Sequence, residues 1–392
     1  MREVTVFVGG SVGSDPYSTK TWSGSSAHLL VAMKEADLLE KAVGISVPKL
    51  HHYATLAKNF DRDRSVWRKH FYFDPAYRRA LTEAAAKVTV TSPMLMQIGH
   101  MFSLPKAFPS KKCISYHDGN LSEMLASGFG MEGVSNMRIE QALEYEHETA
   151  RSMTAIFTFS EYLRQSFIRA YGVPAERVFN VGGGINFDQL PTIDPAKSWT
   201  APRILFIGTE FARKGGNQLL AAFKAVREAL PNAELDIVGP TEVDNLPAGA
   251  TLHGHLSKAD PVQKQKLEQL FRSASLFVLP SLYEPFGIAP LEAMLYQLPA
   301  VLTNAWALRE FVTPGLNGEL VEKGSAEDLA EKLVVLLSDP DKLAEMGLNA
   351  RASVLDRYTW PAVAMRMAEA VKSLSNATLR LKPRCQLPSG DA

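Results

Sequence analysis

The stretch LFVLPSLYEPFGIAPLEAMLYQLPAVLTN, Leu276 to Asn304, decides the architecture. It opens with LFVLPS (276–281) and closes with PAVLTN (299–304), two short runs whose apolar residues are continuous rather than alternating. Such runs fit strands buried on both faces of a sheet. Between them Gly287 permits a tight turn. A helix then begins at Ile288–Ala289, and Pro290 is tolerated in its first turn, where a missing N–H is no loss. Strand, turn, helix and strand in so short a span form a parallel βαβ unit.

The same alternation runs outward in both directions. Strands are expected at VTVFVG (4–9), KVTVTS (87–92), CISYH (113–117), AIFTFS (155–160) and RVFNVG (177–182). A second set comprises RILFIG (203–208), AELDIVG (233–239), LFVLPS, PAVLTN and GELVE (318–322). Helices are expected over Ser25–Glu40, Glu161–Tyr171, Gly216–Ala229 and Ala326–Leu337. The Pro-rich, aperiodic segment LPTIDPAKSWTAP (190–202) separates the sets. The expected organisation is α/β: two doubly wound Rossmann-like domains, 1–190 and 203–358, joined by a linker at 191–202 and facing each other across a cleft. A last helix at 359–375 crosses back to the first domain, and 376–392 reads as a disordered tail. Ligands of such sheets bind beyond the carboxyl ends of the strands.

Composition narrows the function classes. The 392 residues carry 42 Lys+Arg and 42 Asp+Glu, so the formal net charge is zero. A nucleic-acid binder usually shows a basic excess, so nucleic acid is not an expected partner. The 2 cysteines, Cys113 and Cys385, lie far apart. That argues against a disulfide framework or zinc site and fits a reducing compartment. The N-terminal run reads as a strand rather than a signal core, and the expected setting is cytoplasmic.

Two motifs lie at strand ends. In FIGTEFARKGG (206–216) a strand ends at Gly208. A loop then carries Thr209, Arg213 and Lys214, and two glycines precede a helix. Adjacent cations beside a helix start suit a diphosphate, while a solvated basic loop is the alternative. In EPFGIAPLE (284–292) the N–H groups of Gly287, Ile288 and Ala289 should point at an anion. Carboxylates would repel that anion, so Glu284 and Glu292 fit hydroxyls instead; a favourable first-turn charge for Glu292 and an exposed loop acid for Glu284 are the alternatives. The spacing spans a nucleoside–diphosphate–sugar, with Glu292 at the ribose and Glu284 at the sugar.

These motifs resemble those of the retaining glycosyltransferases of family 4, which have the GT-B fold. EPFGIAPLE matches that family's paired-glutamate motif. FIGTEFARKGG, ELDIVGP (234–240), ALREFVTPGLNGELVEKGSAEDLAEKLVVLLSD (307–339) and MGLNARASVLDRYTW (346–360) match its surroundings. SEYLRQSFIRAYGVPAERVFNVGGGINFDQ (160–189) looks like its segment before the interdomain linker. The resemblance is strong over 155–370 and weak over 1–120. It implies transfer of a hexose from a UDP-, GDP- or ADP-linked sugar to an acceptor hydroxyl on a glycan, lipid or small molecule.

Residue by residue, the resemblance implies that Lys214 neutralises the diphosphate and Glu284 holds the transferred sugar. The amides at Phe286, Gly287 and Ile288 contact sugar or phosphate, and Glu292 binds ribose. The family often places Arg directly after the strand-end glycine; Thr209 stands there, and Arg213 is the candidate to supply that charge. In YHDGN (116–120), His117 is carried over to the transferred sugar, with Asp118 a polar neighbour on the acceptor side or a cap. In TWSGSSAHLL (21–30), Gly24 and Ser25 match the glycine loop near donor phosphate or acceptor, or form a plain N-cap. The resemblance also implies a front-face route and closure of the domains around the donor. No Asp-x-Asp metal site is read, so no metal and no cofactor are expected. An epimerase or hydrolase on the same fold, or a non-catalytic sugar-nucleotide binder, are the alternatives.

The segment AKNFDRDRSVWRKHFYFDPAYRRA (57–80) mixes Arg62, Arg64, Arg68, Lys69, Arg78 and Arg79 with Phe60, Trp67, Phe71, Tyr72 and Phe73. It could lie peripherally on an anionic membrane surface, bind a polar acceptor, or form a partly buried helix.

Overall fold

The computed structural model describes residues 3–9, 15–18, 21–63, 67, 71–131, 133–187, 189–194 and 197–380. In the first half, strands β1 (Val4–Gly9), β2 (Leu39–Ile45), β3 (Met94–Ile98), β4 (Lys112–His117), β5 (Ala155–Thr158) and β6 (Val178–Asn180) form one sheet. Its order is β2-β1-β3-β4-β5-β6, and every pairing is parallel. In the second half, β7 (Arg203–Ile207), β8 (Glu234–Val238), β9 (Ala250–Gly254), β10 (Leu276–Leu279), β11 (Ala300–Thr303) and β12 (Gly318–Val321) form another. That sheet runs β12-β11-β10-β7-β8-β9, again all parallel. Strand order reverses between β1 and β3 in the first sheet and between β7 and β10 in the second. Crevices open at such reversals, beyond the carboxyl ends of the strands.

The central strands follow from their composition. Leu276, Phe277, Val278 and Leu279 of β10 are fully buried, as are Ile204, Leu205 and Phe206 of β7 beside it. Continuous apolar sequence is what a strand covered on both faces requires. The two strands that sequence reading missed, β2 and β9, both lie at sheet edges. In β2 Glu40, Lys41 and Gly44 are exposed, and β9 has no fully buried residue. Charge at an edge guards against unwanted pairing and also erases the apolar signal. The expected strand at 87–92 is corrected to Met94–Ile98, whose five residues are all buried. In the earlier segment Lys87 caps the helix Pro75–Ala86. Val88 and Val90 rest on the core and Thr89 and Thr91 face water, an alternation without a ladder.

The helix Trp360–Arg380 packs on the helix Ser25–Glu35 of the first half. Trp360 Nε1 donates to Asn186 Oδ1 at 2.9 Å, Arg366 Nε to the Val181 carbonyl at 2.7 Å and Lys112 Nζ to the Leu374 carbonyl at 3.0 Å. The two segments that pass between the halves run together, and Ile185 N–H donates to the Tyr358 carbonyl at 2.9 Å. The Pro191 and Thr192 carbonyls accept from Arg351 and Arg272, so the chain already lies on the second half there. The helix extends to Arg380, past the start of the expected tail; residues 381–392, with Cys385, fall outside the described residues. Cys113 is a free, buried thiol, pushed up to about 12 by burial. Among the described residues no helix is long and apolar enough to cross a membrane.

The basic and aromatic segment 57–80 divides. Phe73 and Arg78 are buried, and the Arg78 guanidinium donates to the carbonyls of Tyr72 and His100 at 3.0 and 3.2 Å. Trp67 Nε1 donates to the Leu56 carbonyl at 2.8 Å. Phe60 and Tyr72 are exposed, while Arg64, Arg68 and Lys69 lie outside the described residues.

Candidate active site

Two loops meet at the carboxyl ends of β7 and β10. Gly215 caps the helix Gly216–Ala229 with φ 76°, and a Cβ built there would lie 2.0 Å from the Pro280 carbonyl oxygen. Only glycine lets the two backbones approach this closely. Arg213 fastens the contact: it donates to the Tyr283 carbonyl at 2.7 Å and to the Glu210 carboxylate at 3.0 Å, and its own carbonyl accepts from Leu282 N–H at 2.8 Å. With the loops joined, Lys214 forms an ion pair with Glu284, and both side chains are largely buried.

Beyond Glu284 the chain turns at Gly287, φ 92°, into the helix Ile288–Leu295. Phe286 is buried edge-on against Phe159 of the first half at 4.9 Å and Phe311 at 5.1 Å. That packing fixes the start of the helix, with its free N–H groups, beside the opposite domain. Glu292, one turn in, is buried and ion-paired with Lys258, which follows β9.

These groups line a cavity of about 530 Å³ between the two halves. Of the expected site residues, Thr209, Lys214, Glu284, Phe286, Gly287, Ile288 and Glu292 line it from the second half, and Ser25 and Asp118 from the first. Four expected residues do not line it: Gly208, Arg213, Gly24 and His117. Gly208 is held by its N–H on the Val238 carbonyl at 2.9 Å. Arg213 spends its guanidinium on the loop contact. Gly24, φ 86°, caps the helix from Ser25 and presents that serine instead.

The position of His117 outside the lining follows from strand geometry. Successive side chains of a strand point to opposite faces. His117 closes β4 on the face where its ring lies parallel to His100 at 5.9 Å and 4.9 Å from Phe167. Burial, then His100, lowers its pKa to about 3, with Glu146 opposing, so the ring is neutral. Asp118, one residue on, is the group that faces the cavity. It accepts from Trp22 Nε1 at 3.1 Å, and desolvation within the cleft raises its carboxyl above the usual range, with the Trp22 hydrogen bond opposing.

Sequence reading missed Lys258, Trp22, Phe159 and Asn186 in the lining. Lys258 follows the unrecognised edge strand β9, so its strand-end position went unnoticed. The tripeptide Asp61-Arg62-Asp63 is an Asp-x-Asp that the reading passed over. Asp61 Oδ1 accepts from Asp63 N–H at 2.8 Å in an exposed turn, and neither residue lines the cavity.

Comparison with known proteins gives a family match and a shared fold. Residues 194–353 match the family Glycosyl transferases group 1. The fold is GT-B. Sucrose-phosphate synthase from Thermosynechococcus elongatus superposes with a TM-score of 0.70 at 17% identity, over 96% of this chain and 100% of that one. An Anabaena protein, HepE, solved with UDP and glucose, superposes with a TM-score of 0.62 at 17% identity over 95% and 100%. By sequence, a phosphatidyl-myo-inositol mannosyltransferase of Mycolicibacterium smegmatis is 31% identical over 57% of this chain and 58% of its own length. A D-inositol 3-phosphate glycosyltransferase of Xylanimonas cellulosilytica is 27% identical over 57% and 58%. The matches thus span a little over half of these curated relatives. Every second-half residue of the cavity lies inside the group 1 match, while Trp22, Ser25, Asp118, Phe159 and Asn186 lie outside it.

Proposed function

We propose that the protein is a retaining glycosyltransferase of the family 4 kind. It moves a hexose from a nucleoside-diphosphate sugar, UDP-, GDP- or ADP-linked, to an acceptor hydroxyl. The observation that carries this reading is the pairing of Lys214 with Glu284 and Lys258 with Glu292 on either side of the helix start at Gly287. Cations, free N–H groups and hydroxyl-seeking carboxylates then stand in the order that diphosphate, ribose and sugar demand. The match of residues 194–353 supports the reading. So do the named activities of the mannosyl and inositol-phosphate relatives.

In the reaction, the bond from the anomeric carbon to the diphosphate oxygen breaks as the bond to the acceptor oxygen forms on the same face. The acceptor proton passes to the departing diphosphate. Negative charge grows on that diphosphate, and Lys214 with the N–H groups of Phe286, Gly287 and Ile288 meets it. Preorganised donors of this kind are worth about 2.7–4 kcal/mol each in acyl-transfer enzymes. Lys214 already faces a carboxylate oxygen, so donor binding exchanges one oxyanion partner for another.

The test is a thermal-shift panel of UDP-, GDP- and ADP-sugars. A ligand at a hundred times its dissociation constant stabilises the fold by about 2.7 kcal/mol. One nucleotide class should raise the melting temperature by several degrees, and Glu292→Ala, at the same ligand concentration, should cut that rise to about half. No shift with any of the three sinks the proposal.

A further inference from the structure

The two walls of the cavity differ in charge. The second-half wall brings Lys214 and Lys258, each engaged by a glutamate. The first-half wall brings Trp22, Ser25, Asp118, Phe159 and Asn186, so among the described residues Asp118 is its sole charge.

Trp22 and Asp118 form a unit. Trp22 has φ 47°, the left-handed region that a bulky side chain rarely enters and that marks functional sites when the surroundings enforce it. Here the surroundings do enforce it. The indole stands edge-on to Tyr116 at 5.7 Å and to Phe159 at 5.1 Å, and its N–H holds Asp118 Oδ2 at 3.1 Å. Just beyond, Ser26 Oγ donates to the Thr21 carbonyl at 3.2 Å and closes the turn. Asn186 Nδ2 donates to Ser25 Oγ at 3.1 Å, which fixes the neighbouring hydroxyl. The result is a fixed aromatic surface with a carboxylate at its edge, across the cavity from the residues assigned to the donor.

We propose that Trp22 and Asp118 form the acceptor subsite, and that this subsite takes a neutral polyhydroxylated acceptor, a sugar or polyol, in preference to a phosphorylated one. An indole offers an apolar face to the C–H side of a sugar ring, and a carboxylate accepts hydrogen bonds from neighbouring hydroxyls. The same carboxylate repels a phosphate, and no described cation on its wall offsets that repulsion. This inference rests on the donor reading above and names the second substrate class for the same cavity.

The experiment has two arms on the full chain. Binding of UDP, GDP and ADP alone is measured by calorimetry on the native protein, Asp118→Asn and Trp22→Phe. Transfer from the matching nucleotide sugar is then measured with glucose, sucrose, glycerol and myo-inositol, and with glucose 6-phosphate, fructose 6-phosphate and inositol 1-phosphate. Binding of each acceptor in the presence of the nucleotide is followed by saturation-transfer NMR. At least one neutral polyol should bind, with kcat/KM at least tenfold above its phosphorylated counterpart. Asp118→Asn should raise acceptor KM at least tenfold and leave nucleotide affinity within twofold. Trp22→Phe keeps a ring and loses the N–H, so it should show the same split at a few-fold.

A preference for the phosphorylated acceptors overturns the proposal. So does failure of every neutral polyol to bind, or an Asp118→Asn variant that weakens nucleotide and acceptor alike. If no nucleotide binds the native protein, the donor reading fails first, in the other arm.

Discussion

The two halves of the molecule are built alike and reveal their sites differently. Each is a six-stranded parallel sheet with a reversal of strand order. In the second half most polar residues of the site fall in two short stretches: Thr209 and Lys214 sit in one loop, Glu284 to Glu292 span another loop and its helix, and Lys258 joins them from the loop after β9. In the first half the cavity wall is assembled from Trp22, Ser25, Asp118, Phe159 and Asn186, scattered over more than 160 positions of the chain. A diphosphate demands closely spaced N–H groups and cations, which neighbouring residues supply together. A wall of isolated aromatic, hydroxyl and carboxylate groups needs no such spacing.

The strongest way to break this contrast is Lys214→Ala. Loss of one charge-stabilising donor costs about 10²–10³ in kcat. Steady-state kinetics with the preferred nucleotide sugar should show that loss with the fold intact by circular dichroism, and an unchanged kcat removes Lys214 from the chemistry. Next comes Glu292→Ala, with an expected fall in nucleotide affinity of about tenfold, equivalent to about 1.4 kcal/mol. Calorimetry with the free nucleoside diphosphate isolates that effect from transfer. Unaltered affinity would place the ribose elsewhere.

Lys258→Ala should do less. Its side chain is half exposed and its pair with Glu292 partly screened, so the expected loss is about 0.2–1 kcal/mol, up to fivefold in affinity. A loss as large as that of Glu292→Ala would make Lys258 a direct ligand contact and shift weight onto the edge-strand loop.

The smallest effect concerns the seam between the halves. Glu310 accepts from Glu161 N–H at 2.9 Å and Tyr162 N–H at 2.7 Å, capping a helix of the opposite domain. Burial raises its carboxyl to about 7, with the Glu161 N–H opposing. The folded state therefore holds a proton that the unfolded chain has released, and stability falls as pH rises from about 4.5 to about 7. Urea melts across that range should show a flatter profile for Glu310→Gln. Identical slopes would mean that the carboxyl titrates normally.

Legibility followed the same physics. The fold was readable at most strands buried on both faces, as in β10; β3, equally buried, lost its place to the alternating segment just before it, and β2 and β9, whose edge residues are exposed, gave no signal. The second-half residues of the cavity were legible because a helix start, its glycine and its flanking acids are adjacent in sequence. On the first-half wall the readable signal was a histidine at a strand end. The pleat turned His117 inward and gave the cavity to Asp118. Trp22 lay within the quoted glycine segment, but its backbone angle cannot be read from residue type. Arg213, a cation beside Lys214, reads as a phosphate ligand; in the structure its guanidinium reaches the Tyr283 carbonyl and joins the two loops.

The bond between Ile185 and Tyr358 has a mechanical consequence. Two strands of chain that cross side by side behave as a hinge with one pin, where a single tether would act as a swivel. A swing of one half against the other would leave both crossings intact, whereas a twist or slide would strain both at once. Any change in the width of the cavity would then carry Asp118, on one wall, and Glu284, on the other, along a single path.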